Sequence, residues 1–156
     1  MKFAEFVCVD AIKAELAAND RDGVVREMTQ ALVDAGRIAK ADHKPIVAKV
    51  LEREMLGSTG IGRGAAIPHA KHSGVERSVA AVGVSRTGID FASPDGEFVY
   101  VFFLLLSPAE AHGDHLKALQ STANQLRRDT FCRFLKQAIT VEDIRQLLIE
   151  SDDDVV

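Results

Sequence analysis

Two uninterrupted apolar segments near the middle of the chain limit the folds it can adopt. They are SVAAVGVSR, residues 78–86, and FVYVFFLLLS, residues 98–107. Neither alternates polar and apolar side chains, as a strand with one face in water would, so we expect two strands covered on both faces. The intervening ASPDGE, residues 92–97, has the composition of a turn around Asp95 and Gly96.

Helical patterns lie on both sides of these strands. They occupy residues 23–36, 42–54, 112–129 and 140–150. The apolar spacing predicts that the third helix turns four residues inward: Leu116, Leu119, Ala123 and Leu126. Strands with helices before and after them predict an α/β fold, a mixed β-sheet flanked by helices on both faces.

The chain length and charge narrow the class of protein further. Its 156 residues fit one domain, which we place at residues 1–150 with an acidic tail, SDDDVV, at residues 151–156. A net charge of −4 without a basic cluster argues against nucleic acid as a binding partner. The longest apolar run, residues 98–106, is too short to cross a bilayer as a helix, so we expect a protein that is not inserted in a membrane.

The N-terminal segment and the cysteines indicate a cytoplasmic protein. Glu5, Asp10 and Glu15 interrupt the first apolar stretch, which therefore does not read as a signal peptide. Cys8 and Cys132 are far apart and lack metal or redox spacing, which is typical of reduced thiols.

A glycine-rich segment, GSTGIGRGAAIPHAKH at residues 57–72, is the least ordinary part of the chain. Backbone N–H groups can surround a phosphate only where no Cβ blocks the approach, and glycine provides that access. The segment is nevertheless neither a P-loop nor a dinucleotide fingerprint, since the residues that should follow are missing. Taken alone, the glycines indicate a tight connection into a short strand at residues 65–67.

His69 gives this loop a possible chemistry. Pro68 fixes its own φ and favours an extended Ile67, which aims the imidazole that follows. A histidine is a neutral nucleophile near pH 7. Arg53 carries a fork suited to phosphate oxygens, and His115 lies at the start of a helix, where α/β proteins favour anions. Together, His69, Arg53 and His115 indicate a phosphoryl-transfer site. Taken alone, Arg53 would be interpreted as a solvated charge at a helix end and His115 as a capping or packing residue.

Two stretches carry a resemblance to a known family. REMLGSTGIGRGAAIPHA, residues 53–70, followed by FASPDGEFVYVFFLLLSPAEAHGDHLKAL, residues 91–119, resembles the enzyme IIA domains of the fructose/mannitol class of the phosphoenolpyruvate:sugar phosphotransferase system. The resemblance is strongest to the stand-alone, nitrogen-regulatory type and covers residues 5–149. This chain has Ala65 where the family commonly has Ile, which trims packing without removing a chemical group.

The resemblance implies a phosphotransferase that needs no metal or cofactor. It implies that His69 carries the phosphoryl group as phosphohistidine, that His115 is the second active-site histidine, and that Arg53 faces the phosphate. The phosphate-binding donors that it implies in the loop are Ser58, Thr59 and Gly60. Most of the catalysis would then be positioning and charge stabilisation.

The implied partners are other proteins of the same system. The donor would be the phosphocarrier HPr or its nitrogen-branch counterpart. The phosphoryl group would then switch the binding of regulatory target proteins, the alternative we favour, or pass to a IIB domain if the chain is the IIA component of a fructose/mannitol-class sugar permease.

Two readings of a different class remain open. The first is a metal-binding protein built on four histidines, His69, His72, His112 and His115. Against it, the first pair lies in a loop after a proline, where positions i and i+3 do not share a face. The second is a regulatory binding module that is not phosphorylated.

Overall fold

A six-stranded mixed β-sheet forms the centre of the protein, which a computed structural model describes over residues 1–154. The strands are β1 Val7–Lys13, β2 Gly60–Gly62, β3 Ala65–Ala66, β4 His69–Lys71, β5 Val79–Ile89 and β6 Val99–Ser107. The α-helices are α1 Arg21–Asp34, α2 His43–Met55, α3 His112–Leu126, α4 Asp129–Gln137 and α5 Val141–Asp153. Two short 3₁₀ segments, Phe3–Glu5 and Lys40–Asp42, complete the regular structure.

The order of the strands is β1-β5-β6-β3-β2, and β4 also pairs with β6. β5 and β6 are antiparallel, whereas β1 runs parallel to β5, and β3 and β4 run parallel to β6. The prediction of a mixed sheet flanked by helices is therefore confirmed. Strand β6 is central, because β5 occupies one of its edges while β3 and β4 share the other.

Strand β6 contributes to two hydrophobic cores, which explains its continuous apolar sequence. Phe102 and Leu104 pack on the side of α1 and α2. Phe103 and Leu105 pack on the opposite side, with residues of α3, α4 and α5. All four side chains are at most 1% exposed. Because alternating residues of β6 face opposite cores, a polar residue at any of these positions would be buried without water to solvate it.

The orientation predicted for the third helix is wrong in part. The buried residues of α3 are His115, Ala118, Thr122 and Leu126, whereas Leu116 is 55% exposed. The apolar pattern gave the wrong orientation because two polar side chains, those of His115 and Thr122, lie on the inner face of the helix. The Thr122 hydroxyl is satisfied there by donating to the Ala118 carbonyl oxygen.

The acidic C-terminal stretch continues the last helix. Helix α5 extends to Asp153, and Asp152 is buried with its carboxylate accepting from Phe3 N at 2.6 Å and Ala4 N at 2.9 Å. A tail that begins at residue 151 is therefore wrong for residues 151–153; Val155 and Val156 lie outside the described residues. Within residues 1–154, no helix combines the length and apolarity needed to span a membrane.

Candidate functional site

His69 begins β4 and has a fixed tautomer. Its strand pairs with β6, with His69 opposite Leu105, and the Leu105 N–H donates to the Pro68 carbonyl at 2.9 Å. The Nδ1 atom of His69 lies 2.8 Å from the Ile67 carbonyl oxygen. Because a carbonyl only accepts, Nδ1 must carry the proton. The lone pair is therefore on Nε2, which makes no hydrogen bond within residues 1–154.

His115 lies beside His69, with 5.4 Å between the ring centroids. It belongs to the first turn of α3, which follows β6 after a short loop, and it is 7% exposed. Its Nδ1 atom is 2.7 Å from the Ser107 hydroxyl at the end of β6. The sheet thus positions both imidazoles, one through β4 and one through the β6–α3 connection.

Both imidazoles are held neutral near pH 7. Burial is the main cause that lowers the pKa of His115, to about 4, and the neighbouring His69, Lys71 and His112 lower it further. Burial also lowers the pKa of His69, against the Ile67 hydrogen bond, and the Arg53 charge acts in the same direction as burial. A neutral His69 keeps the lone pair that a nucleophile requires.

Cationic side chains surround the two rings. Arg53, in the last turn of α2, shares a cleft of about 270 Å³ with His69 and His115. Lys49 and Lys71 also line this cleft, together with one carboxylate, that of Glu52, so cations outnumber anions there. The Arg53 Nη1 atom donates to the Gly57 carbonyl at 2.8 Å, and the guanidinium makes no other hydrogen bond in the described part of the chain. The cleft therefore offers an electropositive environment for an anion.

The loop residues Ser58, Thr59 and Gly60 line an adjoining cleft with Arg53 and His69. Their polar groups, however, bond elsewhere. The Ser58 hydroxyl donates to the Phe91 carbonyl at 2.8 Å and accepts from Gly60 N at 3.0 Å. Both the hydroxyl and the N–H of Thr59 donate to Glu54. The structure brings the loop to the site, but these donors hold the loop's own shape.

Glu54 is a functional candidate that the sequence reasoning missed. Its side chain is 5% exposed and anchors Thr59 from the last turn of α2. Burial raises the pKa of Glu54, although the bonds from Thr59 oppose the shift. The sequence contained a signal for it, because Glu54 lies one helical turn beyond Val50 on the apolar face of α2.

The glycines of the loop serve backbone geometry. Arg63 and Gly64 form the two-residue connection between β2 and β3, with φ angles of 58° and 77°. Two successive positive φ angles are typical of a tight hairpin turn and favour glycine. The interpretation of these glycines as a tight connection into a short strand agrees with this hairpin.

The other two histidines of the four-histidine set make contacts elsewhere. His72 Nδ1 accepts from Gly74 N at 2.9 Å, and His112 Nδ1 lies 2.5 Å from Lys71 Nζ. Over residues 1–154, no three side chains of His, Cys, Asp or Glu are grouped so that they could hold a metal ion. The four-histidine metal site is therefore not favoured.

Comparison with known proteins places this arrangement in a family. The model of the family "Phosphoenolpyruvate-dependent sugar phosphotransferase system, EIIA 2" matches residues 5–151. The nitrogen regulatory protein of Bradyrhizobium diazoefficiens is 32% identical over 148 residues, covering 95% of each chain. The fructose-specific EIIABC component of Bacillus subtilis is 32% identical over 152 residues, which are 97% of this chain and 24% of that protein.

A solved structure supports the same placement. The nitrogen regulatory protein IIA-Ntr of Neisseria meningitidis superposes with a TM-score of 0.84 at 28% identity, over 94% of this chain and 98% of that one. The likeness therefore extends over both the sequence and the arrangement of strands and helices around the two imidazoles. The chain belongs to the EIIA 2 family of the phosphoenolpyruvate-dependent sugar phosphotransferase system and is a phosphoryl-transfer component of that system.

Proposed function

We propose that the chain is a phosphohistidine carrier that accepts a phosphoryl group on Nε2 of His69 from an HPr-type phosphocarrier. The observation that carries this proposal is the hydrogen bond from His69 Nδ1 to the Ile67 carbonyl, which leaves the Nε2 lone pair beside Arg53 and His115. A nucleophile with a fixed tautomer in a cationic cleft is what in-line phosphoryl transfer requires.

The transfer step exchanges one P–N bond for another. The Nε2 lone pair of His69 forms a bond to phosphorus while the bond from phosphorus to the donor imidazole breaks. The electron pair of the broken bond returns to the donor nitrogen. Nδ1 of His69 keeps its proton, so the phosphorylated ring is an imidazolium whose N–H remains bonded to the Ile67 carbonyl. Onward transfer reverses these steps toward an acceptor.

Arg53 and His115 stabilise the charge that the transferring group spreads over its oxygens. The guanidinium has N–H groups beyond the one bonded to Gly57, and Lys71 adds positive charge in the same cleft. Preorganised donors of this kind act most strongly in a site shielded from water. Ser58, Thr59 and Gly60 support this arrangement by holding the loop against Arg53.

The surface around the cleft suits a protein partner. Leu56 is 83% exposed and Leu116 is 55% exposed. Leu56 lines the cleft itself, and Leu116 follows His115 in α3. Exposed apolar side chains beside a polar centre are typical of docking surfaces, so the carrier and a IIB domain or regulatory target would bind here in turn.

We favour the regulatory role over sugar transport because the likeness to a nitrogen regulatory protein covers 95% of both chains. A phosphoryl group on His69 would bring about two negative charges into a cationic cleft, of which the imidazolium ring offsets one, and so change which partner binds. Cys8 and Cys132 are free and buried, in keeping with a reducing cytoplasm. Transfer from the phosphorylated chain to a IIB domain would instead favour the transport role.

Labelling with phosphoenolpyruvate, enzyme I and HPr tests the carrier proposal. We expect one acid-labile phosphate on the wild-type chain, mapped to His69, and none on His69→Ala. His72→Ala is a matched control, since it removes a nearby half-buried imidazole and should label like wild type. A stable phosphoserine on Ser58, or a wild-type chain without phosphate, would refute the proposal.

A further inference from the structure

A row of two serine hydroxyls leads away from His115 into the sheet. The Ser107 Oγ atom lies 2.7 Å from His115 Nδ1 and 2.8 Å from Ser78 Oγ. Ser107 is 0% exposed, whereas Ser78 is half-buried. A fully buried hydroxyl with a partner on each side is committed to both of them.

The backbone holds this row in place. Ser107 ends β6, and the pairing of Val79 with Leu106 places Ser78 next to Ser107 across the β5–β6 ladder. On the other edge of β6, Ser107 is opposite Lys71, and its carbonyl accepts from His72 N at 2.9 Å. Ser107 is therefore fixed from both sides, and so is the position of its Oγ.

The row can carry its protons in two directions. In one, Ser78 donates to Ser107, Ser107 donates to His115 Nδ1, and the proton of the neutral imidazole is on Nε2. In the other, His115 Nδ1 donates to Ser107 and its Nε2 carries a lone pair. Only the first direction gives a donor on Nε2, and a phosphoryl anion attracts a donor and repels a lone pair.

We propose that Ser107, backed by Ser78, is a positioning residue that holds His115 as the Nε2–H tautomer toward the phosphoryl group on His69. This inference rests on the proposed carrier function. The two imidazoles then have opposite tautomers although their centroids are 5.4 Å apart. The Ile67 carbonyl accepts from Nδ1–H of His69, whereas the Ser107 hydroxyl donates a hydrogen bond to the unprotonated Nδ1 of His115.

The two hydrogen-bond partners, a carbonyl for His69 and a hydroxyl for His115, differ in a way that has a consequence for turnover. A carbonyl cannot reverse its role, so His69 stays a nucleophile through Nε2. A hydroxyl can accept as well as donate, so the row can reverse: water takes the Nε2 proton of His115, Ser107 passes its proton to Nδ1, and Ser78, reprotonated from water, replaces the proton on Ser107. Nε2 of His115 can then act as an acceptor when the phosphoryl group has left. The row thus allows the tautomer of His115 to change with the phosphorylation state of His69 while the imidazole of His115 stays neutral.

Nitrogen NMR of the full chain labelled with ¹⁵N-histidine tests the tautomers, since protonated and unprotonated ring nitrogens have distinct shifts. We expect His69 protonated on Nδ1, and His115 protonated on Nε2 in the phosphorylated chain. Ser107→Ala should give a mixture of His115 tautomers and slow transfer from phosphorylated HPr about three- to tenfold, the effect of one hydrogen bond. Ser78→Ala, at a half-buried position, should shift both readouts in the same direction.

Ser85→Ala is the matched control, because it removes a buried serine hydroxyl from β5 that is bonded to Gly88 N, not to a histidine. It should preserve both the His115 tautomer and the transfer rate. A proton on Nδ1 of His115 in the phosphorylated wild type would overturn the inference. So would a wild-type tautomer and rate in both Ser107→Ala and Ser78→Ala. Either result leaves His69 labelled, which distinguishes it from a failure of the carrier proposal.

Discussion

Arg53 combines two tasks in one side chain. Its bond to the Gly57 carbonyl closes the end of α2 onto the glycine-rich loop, while the rest of the guanidinium remains available in the cleft beside His69. The planar fork can contact two phosphoryl oxygens together, which a lysine ammonium cannot do with the same geometry. We therefore expect the position to be sensitive to the shape of the cation as well as to its charge.

Replacing Arg53 separates these contributions. We expect Arg53→Ala to be phosphorylated on His69 about a hundred- to a thousandfold more slowly, the effect of losing one donor aimed at a transition state. Arg53→Lys should recover part of the loss. Rapid-quench kinetics with phosphorylated HPr measures both rates, with Arg77→Ala as an exposed arginine control. A wild-type rate in Arg53→Ala would show that this charge does not act on the reaction.

The low pKa of His115, about 4, predicts how stability depends on pH. The unfolded chain binds a proton at this side chain near pH 6.5, whereas the folded chain resists it, so the unfolded state gains protons first as pH falls. The contribution of neutral His115 is therefore fully present above about pH 6.5 and is lost progressively toward pH 4. Between pH 6.5 and pH 4, the free energy of unfolding measured in urea should fall less steeply with decreasing pH for His115→Asn than for wild type. Identical slopes would contradict a low pKa for His115.

At the scale of elements, the glycine-rich loop packs against the turn that follows β5, and Gly60 leaves no room there for a side chain. A Cβ on Gly60 would lie 2.6 Å from Ser93 Oγ and 2.9 Å from Ser93 Cβ. We expect Gly60→Ala to lower the free energy of unfolding by about 1–3 kcal/mol, the usual range for overpacking. Adding Ser93→Gly should restore much of it, because the two closest contacting atoms are removed and only Ser58 Oγ, at 3.2 Å, remains. Gly113→Ala, where a Cβ meets nothing within 4 Å, is the control.

Only the longer elements could be predicted from the sequence. β5 and β6 have long apolar runs because each is covered on both faces. β2 and β4 have three residues each, too few for a periodic pattern, and they exist because β3 and β6 offer edges to pair with. Strand β1 was missed because Asp10 interrupts its apolar pattern at an exposed position.

Some residues of the candidate site could likewise be predicted from the sequence, and others could not. His69 and Arg53 could be selected from their chemistry next to a glycine loop, and the structure brings both to one cleft with His115. Ser107 could not, since its contact with His115 depends on where β6 ends and α3 begins. Nor could the engagement of Thr59 by Glu54, because a helical position does not reveal which backbone N–H a buried carboxylate will meet.

For the whole molecule, the two ends of the chain are joined at one carboxylate. Asp152 in α5 accepts from the backbone N–H groups of Phe3 and Ala4, at a separation of about 150 residues in sequence. Phe3 in turn stacks on Phe103 of β6, with 5.4 Å between the ring centroids. The N-terminal segment thus seals the core under α5, which no local sequence pattern predicts.

Removing this junction should destabilise the whole fold. Asp152→Ala leaves two N–H groups without their charged acceptor, and hydrogen bonds to charged groups are worth about 1.5–3 kcal/mol. We expect a loss of that order in urea unfolding, and a smaller one for Asp152→Asn, which keeps one acceptor oxygen. Asp153→Ala removes an exposed carboxylate from the same turn and serves as the control. Equal losses for Asp152→Ala and Asp153→Ala would rule out a specific role for the junction.

The pairing of β4 with β6 also governs how fast a phosphoryl group could change hands. His69 belongs to a strand hydrogen-bonded to the most deeply buried strand of the sheet, so its backbone cannot swing toward a distant acceptor. The gap must be closed by diffusion of the two proteins toward each other. Transfer would then follow the frequency of productive collisions, rising with the concentration of the partner and responding to ionic strength through the cations around the cleft.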